Sequence, residues 1–152
     1  MDFILINYVL EMGKALLGLD IGDHSVGIAI VNAGTSIALP IGTFERKAYK
    51  AEKKILDLLK EKKIEILVVG LPIGEKGEEG LQCEKVRAFC KRIEKRSSVK
   101  VVFYDEYGSS DDASLKLRHM RGGRRVKKSS GAIDALSASI ILQGYLDSQD
   151  LG

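Results

Sequence analysis

Cysteine and histidine are scarce in this chain, two of each among 152 residues. Cys83 and Cys90 stand in a segment of helical periodicity, where a rise of ~1.5 Å per residue sets them ~10 Å apart, too far for a disulfide. They are expected to be core-facing thiols of a protein in a reducing cytoplasm. A structural zinc site would have to gather His24, His119 and both cysteines from distant places, none at finger spacing. Long apolar runs are missing too: none approaches the ~18 residues a membrane-spanning helix needs. The apolar start from Phe3 to Leu10 follows Asp2, contains Asn7 and lacks the basic region and cleavage site of an export signal. Charge of one sign is not in great excess either, with 24 Lys and Arg against 21 Asp and Glu, a net +3 that by itself names no partner.

What is present suits one packed domain: 45% of residues are hydrophobic and 30% charged. Ala15 to Gly22 reads as a buried strand, Val26 to Val31 as its hairpin partner, and Ser36 to Thr43 as a third, proline-interrupted strand suited to a sheet edge. Ala48, Ala51, Ile55, Leu58 and Leu59 recur at helical spacing between Lys47 and Lys63. Ile64 to Leu71 is then a nearly continuous apolar strand, and a helix between strands implies a parallel crossover. A second helix carries Val86, Phe89, Cys90 and Ile93 on one face, and Val99 to Tyr104 is the last strand. A short third helix is expected to run through Met120, and a final one, apolar nearly all round, from about Ala132 to Asp147. Together these predict an α/β fold, a five-stranded mixed sheet of three antiparallel strands plus two parallel ones, flanked by helices. Its first strand should be central, with the hairpin on one side and the later strands on the other. The expected division is an N-terminal extension over 1–14, one domain over 15–147 and a tail over 148–152.

Three chain regions could supply one acidic cluster. Asp20 sits within an apolar strand, where Asp is depleted and costly to bury without a partner. Asp105 and Glu106 end a strand expected to run parallel to it, and Asp134 falls in the first turn of the last helix, where the dipole favours an acid. Singly, Asp134 fits an ordinary helix-start acid and Asp105 and Glu106 fit polar residues that close a strand. Drawn together they would repel one another unless a cation sat between them. Magnesium takes oxygen ligands, and a pair of such ions can assist phosphodiester hydrolysis.

Leu17-Gly18-Leu19-Asp20-Ile21-Gly22 with Gly27-Ile28-Ala29, then Val69-Gly70-Leu71-Pro72, Asp105-Glu106 and Asp134-Ala135-Leu136-Ser137-Ala138, resemble in the same order the motifs of the YqgF/RuvX family over about residues 15 to 147. The resemblance implies an RNase H-like fold and a nuclease dependent on Mg2+ or Mn2+. Its implied substrate is structured nucleic acid: the 5′ end of pre-16S rRNA, in ribosome biogenesis, or alternatively a Holliday junction in DNA recombination and repair. By position, Asp20, Glu106 and Asp134 resemble that family's metal-binding acids, with Asp105 a fourth candidate ligand. The resemblance leaves a monomer and a weak homodimer both open. Gly-Leu-Asp-Ile-Gly also opens sugar kinases and actin-like ATPases, but those need two such domains.

Arg118, Arg121, Arg124, Arg125, Lys127 and Lys128 crowd a stretch without acids, loosened by Gly122 and Gly123. Such a segment suits sequence-tolerant phosphate contacts, and Ser109 and Ser110 keep hydroxyls near the strand end. Gly70 to Lys76 has the wrong spacing for a phosphate loop, and Glu75, Glu78 and Glu79 would repel phosphate. A second reading, a nucleic-acid binder with impaired catalysis, rests on Ser25 and Tyr107, which stand where the family usually carries arginines.

Overall fold

The computed structural model describes residues 14–73, 77–105 and 131–150. Five strands, β1 (Leu16–Ile21), β2 (Ser25–Val31), β3 (Ala38–Glu45), β4 (Ile66–Leu71) and β5 (Lys100–Asp105), form one sheet in the order β3-β2-β1-β4-β5. β1, β2 and β3 are antiparallel, and β4 and β5 run parallel to β1. This is the expected mixed sheet with the first strand at its centre. Helices α1 (Lys50–Glu61) and α2 (Leu81–Lys95) cover one face, and α3 (Gly131–Asp150) covers the other.

Strand alternation sorts the side chains between the two layers. Leu17, Leu19 and Ile21 join Val26, Ile28, Ile30, Leu67 and Val69 in a core under α1 and α2. Leu16, Ala29, Val31, Ile66, Val68 and Val102 face α3, whose Ala138, Ile141, Leu142, Tyr145 and Leu146 close the second core. β4 reads as an unbroken apolar run because both of its faces are covered. α3 lies so close to the sheet that a side chain on Gly18 would start 2.8 Å from Leu142 Cβ.

Three boundaries differ from the sequence reading. β3 starts two residues late, because a turn closed by Thr35 N–H donating to Asn32 O at 3.0 Å uses up the chain before it. The first helix begins at Lys50, since Ala48 and Tyr49 are left-handed (φ 56° and 58°) and follow a short 3-10 turn; Ala48 is exposed and not part of the helix's apolar face. The last helix continues to Asp150. Glu52, which the charge pattern would place in solvent, is 3% exposed and takes two contacts of 3.4 Å from the Arg92 guanidinium, linking α1 to α2. Cys83 and Cys90 form no disulfide and are buried as expected, and burial pushes the Cys90 thiol up to about 12, which keeps it protonated and inert at neutral pH. No described helix is long and apolar enough to cross a membrane. The short third helix expected through Met120 lies outside the described residues.

Candidate active site

The sheet delivers Asp20 to the face under α3. In β1, Leu19 and Ile21 point into the α1 and α2 core, so Asp20 between them points the other way, and it is half-buried. Its neighbour across the antiparallel pair is Gly27. On the parallel side Leu19 pairs with Val69, which sets the buried Gly70 level with Asp20. Neither lateral neighbour carries a side chain to crowd the carboxylate.

The place of a side chain at Gly27 is taken by the start of α3. A Cβ there would sit 1.9 Å from the Asp134 carbonyl oxygen, 2.2 Å from its carbon and 2.9 Å from Ala135 N. The first turn of α3 therefore rests directly on β2, one strand away from Asp20. Ser25, two residues before Gly27 and on the same face, donates its hydroxyl to Asp134 Oδ2 at 2.9 Å. Asp20 and Asp134, far apart in sequence, thus lie on the same face at the same end of the sheet. Ser25, which stands where the family usually carries an arginine, holds the Asp134 carboxylate. Gly27 belonged to the quoted motif without a stated reason, and the reason is this close backbone approach.

The remaining acids divide. Asp105 pairs in register with Leu71, whose side chain lies in the α1 and α2 core. Asp105 therefore starts from the face opposite Asp20, exposed at the strand end. Glu106 lies outside the described residues, as do Ser109, Ser110, Arg118, Arg121, Arg124, Arg125, Lys127 and Lys128. Among the described residues no three His, Cys, Asp or Glu side chains cluster as metal ligands. What the described site offers is two carboxylates on one face, an all-oxygen donor set that suits a hard divalent cation such as Mg2+ or Mn2+.

Ser25 yields a direct prediction. Holding one carboxylate oxygen fixes the side-chain rotamer and leaves the other oxygen for a ligand, and outer partners of this kind are worth about 10- to 100-fold in metal affinity or activity. Ser25→Ala is expected to raise the Mn2+ concentration needed for half-maximal binding ~10-fold, with Ser25→Thr restoring it. Calorimetric titration of Mn2+ into the protein without nucleic acid checks this; unchanged binding in Ser25→Ala would show the hydrogen bond to be incidental.

Comparison with known proteins identifies the family and the fold. The family described as RuvX: Holliday junction resolvase matches residues 14–148. The chain is similar to proteins named "Putative pre-16S rRNA nuclease": 40% identical to one from Caldanaerobacter subterraneus over 138 residues, covering 88% of this chain and 96% of that protein. One from Mesorhizobium japonicum is 36% identical over 136 residues, covering 89% and 81%. Among solved structures, Thermus thermophilus RuvC in complex with a Holliday junction substrate has the same fold, with a TM-score of 0.55 at 14% identity over 90% of this chain and 96% of that one. With a family match over residues 14–148 and relatives as much as 40% identical over most of both chains, the chain belongs to the RuvX family, and its fold is RNase H-like.

Proposed function

We propose that the protein is a divalent-metal-dependent nuclease that matures the 5′ end of pre-16S rRNA. The observation that carries the reading is the seating of α3 on Gly27, which brings Asp134 to the face and sheet end that hold Asp20. Similarity to proteins named for pre-16S rRNA supports this substrate, and the family's description as a Holliday junction resolvase supports branched DNA as the alternative.

Asp20, Asp134 and Glu106 would hold one or two Mg2+ or Mn2+ ions; Asp105, on the other face, is left out of this set. Bound there, the metal supplies Lewis-acid stabilisation of a phosphodiester and activation of water. The chain's own residues do the positioning. Strand β1 holds Asp20 between two glycines, Ser25 holds the Asp134 carboxylate, and the close contact at Gly27 seats the helix that carries Asp134. Arg118, Arg121, Arg124, Arg125, Lys127 and Lys128, with Ser109 and Ser110, are assigned to the phosphate backbone of the substrate. The Ser25–Asp134 hydrogen bond argues for the catalytic reading over an impaired binder, because it organises the carboxylate without an arginine.

The test is cleavage of an end-labelled 5′-extended 16S precursor fragment, beside a four-way DNA junction, in Mg2+, Mn2+ and EDTA. Metal-dependent cutting of the RNA is expected. Cutting of the junction alone would transfer the assignment to resolution of branched DNA, and salt-sensitive binding with no cutting of either would make the protein a binder.

A further inference from the structure

β3 ends at Glu45 opposite Ser25, so the turn that follows lies at the same end of the sheet as Asp20 and Asp134. In that turn two consecutive residues, Ala48 and Tyr49, hold left-handed backbone angles that side-chain-bearing residues disfavour. No packing compensates for them: the 3-10 turn buries no residue, and Tyr49 is 63% exposed. The turn is nevertheless held in place. Arg46 N–H donates to His24 O at 2.8 Å, Arg46 Nη1 donates to Gly22 O at 2.9 Å, and the guanidinium covers the Phe89 ring at 5.1 Å. Tyr49 N–H donates to Arg46 O at 3.1 Å. The β1–β2 hairpin that carries Ser25 thus anchors the turn that presents Tyr49. Lys47 and Lys50 flank Tyr49 in the sequence and are both exposed, with Lys50 Nζ 3.7 Å from Glu45 Oε2 in a solvent-facing ion pair. Strain kept at a well-anchored surface point, with no packing gain, points to a function for the side chain displayed there.

An outward aromatic ring between two lysines is the combination that binds single-stranded nucleic acid, the ring taking a base face and the cations the adjoining phosphates. We propose that Tyr49 is a stacking contact for an unpaired base of the substrate, with Lys47 and Lys50 on the neighbouring phosphates. The proposal rests on the nuclease reading, and it adds that the substrate is single-stranded where it leaves the catalytic edge.

Fluorescence anisotropy with labelled single-stranded RNA and a blunt RNA duplex, in EDTA so that nothing is cut, tests it. Tyr49→Gly removes both the ring and the backbone strain, so it is expected to melt higher than wild type and yet bind single-stranded RNA ~10-fold more weakly. Tyr49→Phe keeps the affinity, and Ala48→Gly melts higher with affinity unchanged. Duplex binding is unaffected throughout. Tyr49→Gly binding single strands as tightly as wild type would overturn the stacking role alone. A wild type that binds neither RNA would overturn the nuclease reading and this inference with it.

Discussion

Asp20→Asn is expected to lower cleavage by about 10³-fold or more while leaving the melting temperature in EDTA unchanged or raised. The loss is of the size that removing one electrostatic element from a catalytic centre produces. The stability effect follows from the neighbours. Asp20 is half-buried in β1 and shares its face and sheet end with Asp134, and two acids so placed are expected to oppose each other when no cation is bound. The amide keeps the shape and would remove one of the two charges. Added Mn2+ should raise the melting temperature of the wild type, because a ligand that binds only the folded state stabilises it by mass action, and should do much less for the variant. Initial rates on end-labelled precursor RNA, with melts in EDTA and in Mn2+, check both halves. Full activity in the variant would remove Asp20 from the site; loss of activity together with a collapsed melt would make it a structural residue.

Gly27→Ala is the second large effect. The added Cβ would lie 1.9 Å from a backbone oxygen and 2.2 Å from a backbone carbon of Asp134, atoms that cannot rotate away as a flexible side-chain end can. Either the first turn of α3 lifts from β2 or the strand twists, and both loosen a helix that packs on the faces of β1, β2 and β4 through Ala138, Leu142, Tyr145 and Leu146. A loss of about 3 kcal/mol in stability is expected, at the upper end for overpacking because backbone meets backbone. Cleavage should fall further than the folded population does, since the displaced helix carries Asp134 away from Ser25. Gly42→Ala is the control: its Cβ meets only Phe44 ring carbons at 3.5 Å, an ordinary contact, and about 0.5 kcal/mol or less is expected. Urea unfolding beside cleavage rates measures the pair, and a Gly27→Ala midpoint equal to that of wild type would contradict the account of how α3 is seated.

The sheet order was legible because its signals are local: an unbroken apolar run for a strand covered on both faces, a hairpin turn, and helices alternating with later strands. Asp20 was legible as an acid inside such a run. The partition of the other acids was not, since adjacency of Asp105 and Glu106 does not say which faces the site. Only the register of Asp105 with Leu71 places it on the α1 and α2 side. Ser25 looked like a lost arginine, and its bond to a residue so distant in sequence could not be read without the fold. The helical spacing drew Ala48 into α1, but periodicity carries no information on the left-handed turn at Ala48 and Tyr49. Glu52 escaped for a similar reason, its partner being Arg92 on another helix.

The account stands on the proposal that Asp20 and Asp134 both take part in holding divalent metal. Electron paramagnetic resonance of Mn2+ titrated into wild type, Asp20→Asn, Asp134→Asn and Asp105→Asn, without nucleic acid, tests that directly. The account predicts saturable binding in the wild type, weakened at least ~10-fold in Asp20→Asn and Asp134→Asn and retained in Asp105→Asn. Saturable binding that survives in both Asp20→Asn and Asp134→Asn, or none in the wild type, would contradict it.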